Sequence, residues 1–518
     1  MLILDSHCHV QNIPGHPWDS PASRLIPLLD QAGIHCALIM GYGEASSEDP
    51  ELLDQMDLAM SQYPGRLFAL ARLQPSLSAP ETLEKLVCSR RGFVGLKLHP
   101  VGYRMAPDHP YVLNLLKTAA KLNIPTMFHC GDEEYSLPLQ IARAARKVPQ
   151  ANIILGHMGG YFHVHDALQA ALECSNIYLE TSAMPYPALI KQCVEKLGAS
   201  RVIFGSDGPG CLPALEVQKI DLADLNENQK KEVLGEAYLR LLRPDDRNRV
   251  LASYVNREAA QAPSANYRIE LDSRVHIRCS DNLTGGEGLC RVGGGEILAI
   301  EKSMHDLKIR KACLVSGYDS SSYVAANQVI RAYSESKEHY FWCRLDPHNG
   351  ENIEQCREYL SSSQCAGLFL HPFEENISCS SPLIHELISD LQTNFRSNQY
   401  LMVAGGFPLV SQSEQIAHLA ARVSLNIIAT SAGQIDICGA HLQSALEMMR
   451  EHSNILIETS GIYRQDFIED AINEFGPKRV VFGSGAPGFD MSYEAARLRW
   501  LEYKQASQIS RDFLRDQT

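Results

Sequence analysis

The residues best suited to chemistry stand at the start of the chain. Asp5-Ser6-His7-Cys8-His9 follows directly on the apolar run Leu2, Ile3 and Leu4. On a strand, residues two apart project to the same face, so His7 and His9 converge on one point. Two imidazoles side by side at a strand end suit a metal such as zinc. A lone His-x-His pair is weak evidence in a chain with 19 histidines, because the pattern arises by chance. Its weight comes from what recurs downstream. Arg72, Lys97 with His99, His129, His157, Glu180 and Asp207 each stand at or just past the end of a short apolar run.

Those runs are the elements that must position the polar residues. They read Leu2–Leu4, Cys36–Met40, Leu67–Leu73, Val94–Leu98, Pro125–Phe128, Ile153–Leu155, Ile177–Leu179 and Val202–Phe204. Segments able to form amphipathic helices fall between them, among them Glu51–Tyr63, Tyr111–Leu122, Leu137–Lys147, Val164–Leu172 and Ala188–Leu197. Strict alternation of near-continuous apolar strands with helices implies a parallel sheet covered by helices. Eight such units point to a (β/α)8 TIM barrel, whose strand ends form one face where active sites are built. An open doubly wound sheet would want a Gly-rich phosphate turn after the first strand, and histidines stand there instead. Residues 222–242 read as a closing helix or helix pair, and the charged stretch 243–268 as a linker with room for some helix.

Composition excludes several functions. A chain of 518 residues with 45% hydrophobic content supports more than one large core. A net charge of −14, with no Lys/Arg-rich run, argues against nucleic acid and anionic membrane as partners. The 15 cysteines are scattered without CxxC pairs, which favours reduced thiols over a disulfide framework. Neither a signal peptide nor an apolar run of membrane-spanning length is apparent. The expectation is a soluble cytoplasmic protein.

From about Ile269 the pattern begins again. LDSHCH at Leu4 is matched by LDSRVH at Leu271, GLKLHP ending at Pro100 by GLFLHP ending at Pro372, SNIYLETS from Ser175 by SNILIETS from Ser453, and RVIFGSDGPG from Arg201 by RVVFGSGAPG from Arg479. The chain is thus a tandem duplication, 1–242 and 269–518. The differences carry information: His7, Lys97, His129, His157 and Asp207 correspond to Arg274, Phe369, Ala404, Ser431 and Gly485, whereas His9, His99, Arg72 and Glu180 find His276, His371, Arg344 and Glu458. The first half reads as a metal site and the second as a barrel without one. Retention of Glu458 and His371 favours structural roles for Glu180 and His99. His163-x-His165 is a second such pair, but it sits at a helix start after Gly159-Gly160 and is discounted as a ligand pair. Cys130 faces away from His129 and reads as a packing thiol.

The set His7-x-His9, His129, His157 and Asp207, with GLKLHP, IPTMFHCG, ILGHMGG and VIFGSDGP in this order, resembles the amidohydrolase superfamily. More narrowly, it is similar to the metal-dependent hydrolase branch that also contains aminocarboxymuconate-semialdehyde decarboxylase. The resemblance spans 1–242 and, in degenerate form, 269–518. It implies a divalent metal at the mouth of the first barrel, bound or faced by His7, His9, His129 and Asp207, with His157 beside it. In dihydroorotase-like members a lysine in a context similar to Lys97-Leu98-His99-Pro100 is carboxylated and bridges two metals; the alternative for Lys97 is to anchor a substrate carboxylate. Nitrogen and oxygen ligands suit zinc, with manganese as the alternative ion.

The mechanism implied is attack of an activated water on a carbonyl carbon, with Asp207 shuttling the proton and His157 polarising the carbonyl. Arg72, Tyr103 and Arg104 are candidates for holding an anionic small-molecule substrate, an interior salt bridge being the equal alternative for Arg72. Three functions compete: hydrolysis of a small ester, amide or lactone; non-oxidative decarboxylation or hydration at the same site; and a non-catalytic binding or scaffold protein. The second half is expected to act as a pseudoenzyme that stands in for a partner subunit, a pseudo-dimer within one chain, with a homo-oligomer left open.

Overall fold

A computed structural model describes the chain except for residues 17, 91, 132–133, 264–267, 278–296, 318–321, 435–439 and 515–518. It divides into two compact units, Met1–Gln261 and Ala262–Thr518. In the first, the strands are β1 (Leu4–His9), β2 (Cys36–Met40), β3 (Leu67–Arg72), β4 (Phe93–Leu98), β5 (Thr126–His129), β6 (Ile153–Gly156), β7 (Ile177–Glu180) and β8 (Val202–Ile203). Each pairs in parallel with the next in sequence order. They are short and buried on both faces, which is why they read as unbroken apolar runs. Helices intervene, several opened by a proline in the first turn, as at Pro50, Pro110, Pro138 and Pro187, where the missing N–H costs nothing.

The seam between β8 and β1 matters most for the site. Ser6 N donates to Phe204 O at 3.2 Å, Asp207 N to His7 O at 2.7 Å and His9 N to Gly208 O at 2.7 Å. The chain beyond β8 therefore runs alongside β1, closes the barrel and brings Asp207 against the His-x-His pair. A buried carboxyl pins this seam. Asp5 accepts from Ser206 Oγ at 2.5 Å, Ser206 N at 2.9 Å and His7 N at 3.1 Å, and burial raises its pKa to about 7. The opposite end of the barrel is plugged by the helical run 227–241, whose Ala237, Tyr238 and Leu241 join Leu4, Leu38, Phe68, Leu70 and Ile203 in the core.

The second unit repeats this plan with β9 (Ile269–Ile277), β10 (Ile309–Ser316), β11 (Tyr340–Arg344), β12 (Cys365–Leu370), β13 (Tyr400–Val403), β14 (Ile427–Ala429), β15 (Ile455–Glu458) and β16 (Val480–Val481), again paired in sequence order. Its seam is closed by Ser273 N to Phe482 O at 3.0 Å, Gly485 N to Arg274 O at 3.0 Å and His276 N to Ala486 O at 2.7 Å. Asp272 takes the place of Asp5, accepting from Ser484 N at 2.9 Å and Arg274 N at 3.2 Å. Phe513 and Leu514 reach into its core. The protein is thus two tandem (β/α)8 barrels.

Within 243–268 the helical part is Pro244–Ala252, and it packs as part of the first unit. Its polar sequence hides the anchors: Val250 enters the core, Arg249 lies over the Phe68 ring at 6.0 Å, and Asp246 is buried between Arg243 and Arg249. Residues 264–267 lie outside the described residues. Asp5→Ala would leave the buried donors of His7 and Ser206 without an acceptor, at roughly 1–3 kcal/mol each. The expected outcome is a first-barrel stability lowered by about 3 kcal/mol, read as faster hydrogen exchange in β1 and β8; unchanged protection there would contradict the pin.

Candidate metal centre

β1 aims His7 and His9 into the mouth of the first barrel, where both are buried. The rings form an arc. Centroids of His9 and His7 are 5.5 Å apart, His7 and His157 4.8 Å, His157 and His129 4.9 Å, and His129 and His99 4.5 Å. Donor atoms of His7, His157 and Asp207 lie within 4.8 Å of one another, the one group of three among the described residues close enough to hold a cation. Asp207 Oδ1 is 3.1 Å from His9 Nε2 and 3.6 Å from His7 Nε2. Lys97 Nζ, on β4, is 3.0 Å from His7 Nε2.

The electrostatics favour neutral imidazoles and an ionised carboxylate. Burial holds His7, His9 and His129 below the usual histidine range and takes His157 to about 3. Burial pushes the Asp207 carboxyl up, but the His9 hydrogen bond and the neighbouring imidazoles outweigh it and hold the group low. Burial, reinforced by Arg72, lowers Lys97 to about 7, so a neutral amine, the form that carboxylation requires, is accessible there. Neutral nitrogen donors facing one carboxylate fit a divalent cation of the zinc or manganese type.

The loop positions are held in unusual backbone. His157 and Asp207 both have left-handed φ, 65° and 60°, a conformation that Asp and His adopt more readily than most residues. Glu180, at the end of β7, holds the first of these: its Oε2 accepts from His157 N at 3.0 Å and from His7 Nδ1 at 3.1 Å. Glu180 is fully buried and faces the rings from behind.

The remaining expected residues separate. Arg72 is buried in an interior salt bridge: its Nη1 donates to Gly41 O at 3.0 Å and its Nη2 to Glu44 Oε1 at 2.9 Å. Tyr103 is buried next to that cluster, its phenol pushed up mainly by burial and also by Glu44. Arg104 is exposed, at the left-handed end of the short helix Pro100–Tyr103. His163 Nδ1 pairs with Asp166 at 3.2 Å in the first turn of its helix. Two contributors escaped the sequence reading. Glu44 joins Arg72 to His99, whose Nδ1 lies 2.6 Å from the same Oε1. Ser182 Oγ lies 2.9 Å from both Glu180 Oε2 and His157 Nδ1; its only sequence signal is the ETS triplet that recurs at Glu458-Thr459-Ser460.

At the corresponding place in the second barrel Arg274 is buried, its Nη2 donating to Ser460 Oγ and, at 3.2 Å, to Glu458 Oε2. Its Nη1 lies 3.4 Å from His276 Nε2. A Cβ at Gly485, the counterpart of Asp207, would stand 2.9 Å from Arg274 Nη2. Phe369 replaces Lys97 and is buried against His276, with centroids 5.8 Å apart. A guanidinium thus fills the space that donors surround in the first barrel.

A family model described as Amidohydrolase matches residues 4–244 and 409–516. No curated protein matches. Among solved structures, a 2,6-dihydroxybenzoate decarboxylase from Rhizobium is 18% identical, covering 46% of this chain and 98% of that one, with a TM-score of 0.38. A 5-carboxyvanillate decarboxylase from Sphingomonas paucimobilis is 15% identical over 46% and 98%, with a TM-score of 0.39. A dihydroxybenzoic acid decarboxylase from a Polaromonas species, with bound manganese and 2-nitroresorcinol, is 17% identical over 46% and 96%, with a TM-score of 0.39.

Outer-layer partners of metal-binding histidines typically contribute 10–100-fold to affinity. Glu180→Gln should therefore weaken zinc binding by about that factor in chelator competition. Glu458→Gln should leave zinc affinity unchanged while destabilising the second barrel, because Arg274 loses its buried counter-charge. Equal effects of the two variants on zinc would contradict this assignment.

Proposed function

Because this chain belongs to the amidohydrolase family, we propose that its first barrel is a metal-dependent hydrolase acting on a small ester, amide or lactone. The observation that carries the reading is the grouping of His7, His157 and Asp207 at the barrel mouth. A divalent cation held by these three, with His9 and His129 alongside, would supply Lewis acidity and lower the pKa of a water towards about 7. Zinc is the expected ion and manganese the alternative.

The chain's own residues supply the rest. Asp207, ionised and fixed by His9, takes the proton of the attacking water and returns it to the leaving group. Glu180 holds His7 and the His157 backbone in place. The Arg72–Glu44–His99 cluster stiffens the wall beneath the loops after β2 and β4. A second reading, non-oxidative decarboxylation, is favoured by Lys97. A buried amine 3.0 Å from His7 Nε2 is suited to receive a substrate carboxylate, and Asp207 would then relay a proton taken from solvent to the carbon that loses CO2. The second barrel, with Arg274 in place of the donors, is proposed to be catalytically silent.

Turnover in 18O-labelled water over a panel of esters, lactones, amides and unsaturated or aromatic acids discriminates the two. Hydrolysis places solvent oxygen in the product acid; decarboxylation releases CO2 and leaves none in the organic product. Turnover of neither class would favour the binding-protein reading. Asp207→Asn should lower kcat by 10²–10⁴-fold, the usual worth of a positioned proton-transfer group, with no residual rate from the second barrel. Chelation should abolish activity, and zinc or manganese should restore it; activity that survives exhaustive chelation would refute the metal dependence.

A further inference from the structure

The hydroxyl of Ser182 has no role in the chemistry above, yet it touches three of its components. It lies 2.9 Å from Glu180 Oε2, 2.9 Å from His157 Nδ1 and 3.4 Å from His7 Nδ1. Ser182 is fully buried, so these contacts dispose of its hydrogen-bonding capacity. A serine hydroxyl has one proton to donate and two lone pairs with which to accept. Glu180 is the acceptor throughout: it also receives Ser182 N at 2.6 Å and His157 N at 3.0 Å. The hydroxyl proton therefore goes to Glu180 Oε2, leaving Ser182 Oγ as an acceptor towards His157. The proton between them must then belong to His157 Nδ1. By the same logic His7 donates from Nδ1 to Glu180 Oε2 at 3.1 Å.

We infer that Ser182 is a positioning residue: its hydroxyl carries the polarity of Glu180 to His157 and fixes that ring with the proton on Nδ1 and the lone pair on Nε2. One carboxylate thus sets two tautomers, that of His7 directly and that of His157 through one hydroxyl. The consequence for the site is specific. A His157 that polarises a carbonyl or steadies an oxyanion needs a proton on Nε2, and this network withholds it. His157 presents a lone pair and serves as a cation ligand or proton acceptor.

The second barrel shows the same use of the hydroxyl. Ser460 Oγ donates to Glu458 Oε2 at 2.9 Å and accepts from Arg274 Nη2. In both barrels the hydroxyl gives its proton to the carboxylate and accepts from the basic group at the mouth, an imidazole in one and a guanidinium in the other. Packing alone would not require that polarity.

The test needs no substrate. Long-range 15N–1H correlation spectra of metal-free, full-length protein report each histidine tautomer. The expected result is His157 as the Nδ1–H form in the wild type, and a shift towards Nε2–H in Ser182→Ala. Zinc affinity by chelator competition should fall about 10–100-fold in Ser182→Ala, and Ser182→Thr, which keeps the hydroxyl, should restore both readouts. Wild-type His157 in the Nε2–H form overturns the inference whatever the variants do, including a Ser182→Ala that fails to fold. An alanine variant with unchanged tautomer and unchanged affinity overturns it equally. The affinity arm rests on the metal-centre reading: wild-type protein that takes up neither zinc nor manganese would sink that reading, while the tautomer spectrum still decides the role of Ser182.

Discussion

A carboxylate buried at the end of the seventh strand is the constraint on which both barrel mouths depend. Glu180 and Glu458 are fully inaccessible to solvent, and an isolated charge in such a place is prohibitively costly. Each is seated by a glycine two residues past the end of the eighth strand: a Cβ at Gly205 would stand 2.2 Å from Glu180 Oε1, and one at Gly483 2.1 Å from Glu458 Oε1. Each accepts a backbone N–H from the turn after the sixth strand, that of His157 or Ser431, at 3.0 and 2.9 Å. What differs is the positive or polar partner in front. The first barrel supplies imidazoles, of which His7 and His9 turn Nε2 towards Asp207 Oδ1. The second supplies Arg274, a permanent cation tethered to its own chain. With the guanidinium there, a Cβ at 485 would stand 2.8 Å from Ser460 Oγ and 2.9 Å from Arg274 Nη2, so a side chain at 485 would have to displace them, and the exchange of His7 for arginine fits that of Asp207 for glycine.

A second ion pair obeys a similar rule by a different route. The arginine ending the third strand is buried in both barrels, as Arg72 and Arg344, and each donates from Nη1 to the glycine carbonyl after the second strand, Gly41 or Gly317, at 3.0 Å. Its counter-charge changes loops. In the first barrel it is Glu44, from the loop after β2, lying against Gly102, where a Cβ would stand 2.0 Å from Glu44 Cδ. In the second it is Glu374 and Glu375, from the loop after β12. Gly102 and Tyr103 hold the positions of those glutamates. The charge is required and its source is interchangeable, which places Arg72 in the framework of the mouth.

Much of this was legible in the sequence, for identifiable reasons. Strands buried on both faces leave continuous apolar runs, so β2 falls at Cys36–Met40 as read, and the others end within a residue or two of their expected limits except at β1, which continues through His9. The duplication exposed which mouth residues changed together. Glu44 was not legible because a loop residue acquires its partner only when the barrel brings β2, β3 and β4 side by side. Ser182 was visible as part of a repeated triplet, but its bond to His157 depends on adjacency of β6 and β7. That Pro244–Ala252 packs onto the first barrel was not legible, because its charges conceal one buried apolar anchor, Val250, and a buried aspartate satisfied by two arginines.

The proposed function turns on a divalent cation at the mouth of the first barrel and on Arg274 occupying the same place in the second. Anomalous scattering from crystals of the full chain grown with zinc, recorded on both sides of the zinc edge, tests it most directly. One strong peak per chain is expected, bounded by His7, His157 and Asp207, with none beside Arg274. A peak next to Arg274, or none at the His7 site after saturation with zinc, would contradict it.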